Sequence, residues 1–136
     1  MNLSTVFLSH QTAQLAVRER LAFPNPERLQ QAYMRLAELY PQVEFVILST
    51  CNRVELYAAH GPMGAVPSLP QLSQFLAEFH QVPLDEFVGE LREHTGPAAV
   101  RHLFEVIASL DSMVLGEPQI VNQVKEAYRL AEQHDA

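Results

Sequence analysis

Residues 43–59 read VEFVILSTCNRVELYAA, and the two halves of that stretch differ in their pattern. Val43 to Ser49 is a nearly continuous apolar run of strand length, as expected of a central strand buried on both faces. Val54 to Ala59 alternates and is rich in β-prone residues, which suits a second strand. Between them Thr50, Cys51, Asn52 and Arg53 make a polar tip. The simplest parse is strand, turn, strand, with a lone thiol on the turn.

Towards the N-terminus, Leu3 to Ser9 mixes β-branched and apolar residues and reads as a strand, and His10 to Phe23 as a loop with a short helical turn. After Pro24-Asn25-Pro26, a helix over Glu27 to Tyr40 carries Leu29, Tyr33, Leu36 and Leu39 or Tyr40 at helical spacing. Beyond the central stretch, Gly61 to Pro70 is a Gly/Pro-rich loop leading to a helix at about Gln71 to His80, with Leu72, Phe75, Leu76 and Phe79 on one face. Phe87 to His94 reads as a further strand, polar enough for an edge. The order is β-α-β-β-α-β, the split βαβ arrangement of a ferredoxin-like α+β fold. From Gly96 the period becomes helical, with Val100, Leu103, Phe104 and Ile107 inward, and a last helix opens near Glu117-Pro118. The expected division is a ferredoxin-like subdomain over 1–95 carrying Cys51 and a helical subdomain over 96–136. The final His134-Asp135-Ala136 interrupts a polar helix face with no closing device, which suggests a truncated chain.

At 136 residues and 48% hydrophobic, the chain suits one compact domain or two subdomains sharing a core. No apolar run approaches the roughly 18 residues of a membrane span, and no secretory or transit signal opens the chain, so a cytoplasmic setting is expected. Sixteen acidic against nine basic residues give a net charge of -7, which argues against a general nucleic-acid binder living on phosphate contacts. An RNA partner would have to be gripped locally. The single cysteine excludes an internal disulfide and a cysteine-rich zinc cage.

Composition alone reads Cys51 as a buried packing thiol. Its setting argues otherwise, because turn tips are where a rigid sheet presents a side chain to a ligand. A free thiol is only slightly ionised at neutral pH, so a nucleophile needs nearby positive charge or amide donors. Arg53 could supply that field, or clamp a substrate carboxylate with its planar fork. His60, His80, His94 and His134 lie near loops or element ends, where exposure explains them. His10 follows the first strand on the presumed rim of Cys51, and His102 lies on a helix beside its apolar face, the usual place of a hydrogen-bonded core histidine. A zinc site of Cys51, His10 and His102 lacks the spacing of structural zinc motifs. Asp111, Ser112, Gly116, Glu117 and Gln119 form a polar link between two apolar helices. They read either as a cap from Ser112 or Asp111 and a turn at Gly116, or as a pocket for a polar amino acid into which Ser112 and Gln119 point neutral hydrogen-bonding groups.

The segments STCNRVELY, AVRHLFEV, LDSMVLGEPQI and QVKEAY, in this order and spacing, together with SHQTAQLAVRERLAF, resemble the N-terminal catalytic domain of the glutamyl-tRNA reductase family over most of the chain. The resemblance implies that Cys51 attacks the ester joining glutamate to its tRNA. The resulting thioester would be reduced by NADPH, bound outside this chain, to glutamate-1-semialdehyde for tetrapyrrole synthesis. It further implies that Thr50, Asn52, Arg53, Ser112, Glu117, Pro118, Gln119 and Gln123 bind substrate, with Arg53 facing the glutamate side-chain carboxylate. His102 matches the family's activity-sensitive histidine, in an orienting or polarising role. A homodimer through a further C-terminal domain is implied as well.

The sequence departs from the family at Phe7, where Gly is usual, at Gln11, where a basic residue is usual, at Gln14 for Pro, and at Ser109 for Gly. No catalytic role is carried onto His10. No GxGxxG loop occurs, so the fragment alone is expected not to complete the reduction. The rival readings are a ferredoxin-like small-molecule or RNA-binding module in which Cys51 is incidental, and a purely structural or oligomerisation domain.

Overall fold

The computed structural model describes residues 2–113. Four strands and four helices follow in the order β1 (Asn2–Ser9), α1 (Leu15–Leu21), α2 (Pro26–Leu39), β2 (Glu44–Ser49), β3 (Arg53–His60), α3 (Leu69–His80), β4 (Arg92–Thr95) and α4 (Pro97–Met113). The strands form one antiparallel sheet in the order β2-β3-β1-β4.

The alternation of β3 sorts its side chains between two faces. Val54, Leu56 and Ala58 join Val6 and Leu8 of β1 and Phe45 and Ile47 of β2 in the main core. Helices α1 to α3 close this face with Leu21, Tyr33, Leu36, Leu72, Phe75 and Leu76, all at or near zero exposure. Burial of such side chains is the main favourable term in folding. Arg53, Glu55 and Tyr57 alternate with them and face the other way, beside Thr5, Phe7 and Ser9 through the β1–β3 register. Helix α4 lies across this second face, where His102 reaches Phe7 and Glu55.

Local signals set the helix ends. Asn25 Oδ1 accepts the Arg28 amide at 2.9 Å, with Pro26 in the first turn of α2. Ser68 and Gln71 form a reciprocal capping box on α3, which therefore opens two residues before the expected Gln71, and Gln81 closes it in a left-handed conformation (φ 56°).

Four expectations are corrected. Among the described residues β2 is an edge strand, paired only with β3. Its continuous apolarity has a different cause, since α2 covers the strand's free side, where the Tyr33 hydroxyl accepts the Ile47 amide at 2.8 Å. The stretch expected as a strand from Phe87 forms short 3₁₀ turns at Leu84–Glu86 and Val88–Glu90, and pairing starts only at Arg92, at the edge as expected. Among the described side chains of α4, Ala99 and Val106 are the buried ones, while Val100 is 38% and Phe104 65% exposed, and the side chain of Ile107 lies outside those described. The polar link expected from Asp111 onward begins later, because α4 continues through Met113. The expected last helix lies outside the described residues. No helix among the described residues is long and apolar enough to cross a membrane.

Candidate functional site at the β2–β3 turn

Cys51 is exposed, contrary to the packing role that composition favours. The turn that carries it is held by its own atoms. Thr50 Oγ1 accepts the amides of Asn52 at 3.1 Å and Arg53 at 3.2 Å, and the Thr50 amide donates to the Arg53 carbonyl at 2.9 Å. A threonine side chain thereby takes up two donors that a tight turn would otherwise leave to solvent. The β1–α1 segment ties the turn down from outside. The His10 amide donates to the Asn52 carbonyl at 2.9 Å, and Arg18 Nη1 donates to the Cys51 carbonyl at 2.7 Å.

Two residues past Cys51 along the chain, Arg53 enters a buried ionic cluster on the second face of the sheet. The Glu55 side chain has zero exposure and accepts from three groups: Arg53 Nη1 at 2.9 Å, Tyr57 Oη at 2.5 Å and His102 Nε2 at 3.1 Å. Burial pushes the Glu55 carboxyl upward, but hydrogen bonds from His102, Tyr57 and Arg53 outweigh it and hold the group below its ordinary range. Burial, and then the Glu55 charge, push the Tyr57 phenol well above its ordinary value, so it stays protonated and donates. An ionised Glu55 can only accept, so His102 carries its proton on Nε2 in this contact. The imidazole is also stacked on Phe7 at 4.0 Å between centroids, with His94 at 5.2 Å.

Arg53 is therefore already engaged through one nitrogen, and its side chain keeps 14% exposure. The remaining donors of its fork are compatible with a carboxylate arriving from the solvent side. The described structure brings Thr50, Cys51, Asn52, Arg53 and His102 together around one end of β3. Ser112 lies on the last turn of α4. Glu117, Pro118, Gln119 and Gln123 lie outside the described residues.

Sequence reasoning missed Glu55. Its signal was a charged residue inside the apolar alternation of Val54 to Ala59, at a position easily read as solvent-facing. His80 and His94 also depart from their expected exposure. His80 packs 4.7 Å from Phe23 and 5.1 Å from Phe79, and His94 stacks 5.3 Å from Phe7.

The sequence profile of the family described as "Glutamyl-tRNAGlu reductase, N-terminal domain" matches residues 6–136, and the chain belongs to that family. It is 45% identical to the glutamyl-tRNA reductase of Geobacter sulfurreducens over 96% of this chain and 30% of the relative. Its identity to that of Marinobacter nauticus is 45%, over 100% of this chain and 30% of the relative. Among solved structures it is similar to glutamyl-tRNA reductase from Methanopyrus kandleri, with a TM-score of 0.66 and 29% identity over 98% of this chain and 29% of that one. The chain thus spans about 30% of the length of the curated relatives it matches.

Proposed function

We propose that this chain is the acyl-accepting domain of a glutamyl-tRNA reductase and that Cys51 takes glutamate from its tRNA as a thioester. The observation that carries the reading is an exposed thiol on a self-bonded turn, adjoining the Arg53–Glu55–His102 cluster. In the reaction, Cys51 Sγ attacks the ester carbonyl carbon and forms a C–S bond. The ester C–O bond breaks, and the tRNA ribose oxygen leaves with the proton the thiol gave up. An aminoacyl ester is activated enough for this exchange without prior phosphorylation.

Arg53 would meet the glutamate side-chain carboxylate with the fork nitrogens that Glu55 leaves free, and Thr50 and Asn52 would shape the approach. His102, fixed by Glu55 and Phe7, would orient or polarise the ester. Ser112, Glu117, Pro118, Gln119 and Gln123 are assigned to the glutamate pocket on the family resemblance. The strand order β2-β3-β1-β4 with two crossing connections supports the ferredoxin-like description of residues 1–95, with 96–136 as a helical extension. The binding-module rival has no observation in its favour, since nothing in it calls for an exposed thiol on a fixed turn.

NADPH does not fit the described residues. A dinucleotide site needs parallel strands and a glycine-rich strand-to-helix turn, whereas this sheet is antiparallel and the β1–α1 connection, His10 to Gln14, contains no glycine. The reading for this chain stops at the thioester. Reduction to glutamate-1-semialdehyde with NADPH, homodimer formation and a cytoplasmic setting are assigned to the longer enzyme.

Intact-mass analysis after incubation with glutamyl-tRNA tests the reading. The expected result is one glutamyl adduct on the native chain and none on Cys51→Ser. An identical adduct on the serine variant would overturn it.

A further inference from the structure

We infer that the groove beside α1 seats the terminal nucleoside of the aminoacylated RNA, the alcohol half of the ester that Cys51 cleaves. This deepens the acyl-transfer reading and rests on it.

The argument begins with the two layers that meet at the Cys51 turn. On the second face of the sheet stand Arg53, Glu55 and His102, the groups suited to the acyl half with its carboxylate. On the opposite face α1 packs into the main core through Leu21, and from this layer Arg18 reaches the turn, donating to the Cys51 carbonyl at 2.7 Å. The two halves of an ester diverge from its carbonyl carbon. If the acyl half turns towards Arg53, the alcohol half is directed towards the α1 layer.

A groove of about 510 Å³ lies in that layer, lined by His10, Gln11, Gln14, Val17, Arg18 and Glu90 among others. Arg18 belongs to both places, so the groove is contiguous with the turn. Its chemistry fits a nucleoside better than a run of phosphates. Gln11 and Gln14 offer neutral donors and acceptors suited to a base and a ribose, His10 a flat ring, and Val17 an apolar surface. Arg18 and Glu90 cancel in charge. A chain with a net charge of -7 has little long-range attraction for a polyanion, so a neutral foothold at the RNA end supplies binding that charge does not. Gln11 and Gln14 are both exposed, and no hydrogen bond from Gln14 caps α1, so the two amide side chains are available to a ligand.

Two small esters separate the halves. The probes are 3′-O-glutamyladenosine and the glutamate α-(2-hydroxyethyl) ester, which keeps a neighbouring hydroxyl but lacks base and sugar ring. Thioester formation on Cys51 is followed by intact mass for the native chain and for Gln14→Trp and Gln11→Trp, which fill the groove at exposed positions. The expected result is that the native chain prefers the adenosine ester by roughly tenfold or more in kcat/KM, and that the tryptophan variants lose that preference while keeping the hydroxyethyl rate within about twofold. The hydroxyethyl rate also reports that each variant has folded. Equal use of both esters by the native chain, or a preference untouched by either variant, would overturn the groove assignment and leave the acyl-transfer reading standing. Acylation by neither ester would remove both.

Discussion

His102 Nε2 and Glu55 Oε2 lie 3.1 Å apart, although 47 residues separate them, and this contact joins α4 to the centre of the sheet. Glu55 also anchors Arg53 and Tyr57, so one carboxylate with zero exposure holds three side chains of the candidate site.

Removing that carboxylate leaves three cationic or polar groups, on Arg53, Tyr57 and His102, without their acceptor. Glu55→Ala is expected to cost about 3–5 kcal/mol in urea unfolding, and Glu55→Gln, which keeps shape and some hydrogen bonds, clearly less. Because the folded carboxyl ionises below its ordinary value, its stabilising contribution is complete above about pH 4.5 and is lost as pH falls through the folded value. Glu55→Gln should flatten this acid limb.

Arg53→Lys separates anchoring from recognition. A lysine can still pair with Glu55 as a point charge, but it lacks the second, parallel donor needed for a bidentate carboxylate contact. The unfolding midpoint should stay near that of the native chain, while KM for thioester formation from glutamyl-tRNA rises by roughly tenfold or more. An unchanged KM would remove Arg53 from substrate recognition.

His80 gives a second pH signature in a different window. Burial, with the nearby Arg28 charge, lowers its imidazole from 6.5 to about 4. The unfolded chain therefore binds this proton more readily than the folded one, and stability is lost as pH falls from 6.5 towards 4. His80→Phe should remove that slope from the stability-against-pH curve and leave the limb below pH 4.5 that belongs to Glu55.

Tyr33→Phe should destabilise the edge of the sheet. Its hydroxyl accepts the Ile47 amide at 2.8 Å, and the tyrosine has zero exposure, so the variant strands a buried donor. A loss of about 1–3 kcal/mol is expected, with an unchanged denaturant slope, and faster amide exchange at Ile47 than elsewhere in β2.

Much of the fold was legible in the sequence because single elements carry their own period. The alternation of Val54, Leu56 and Ala58 and the helical spacing of Leu72, Phe75 and Leu76 both point to the core that the structure contains. Less legible were properties that depend on a distant partner. The apolarity of Val43 to Ser49 looks the same whether a strand or the α2 helix covers it, so β2 read as central. Gly89 and the acidic residues around it make two short turns that a window of β-prone residues hides. Val100 and Phe104 fit an inward stripe by spacing, yet the sheet meets α4 along the side that bears Ala99 and Val106.

The site divides in the same way. The Cys51 turn was visible as four polar residues between two strands. Glu55 was not, because a buried carboxylate is stable only through Arg53, Tyr57 and His102, and the last of these comes from another element. Phe7, noted only as a departure from family habit, turns out to support the ring of His102.

The Thr50 hydroxyl, bonded to the amides of Asn52 and Arg53, bears on what position 51 can accept. The path of the backbone there is written by its neighbour and not by the thiol, so the side chain at position 51, the acyl acceptor of the proposed reaction, is interchangeable. Selenocysteine could be installed to hasten acyl capture. 2,3-Diaminopropionic acid at residue 51 would convert a fleeting thioester into a permanent amide, turning the domain into a covalent trap for the aminoacyl group.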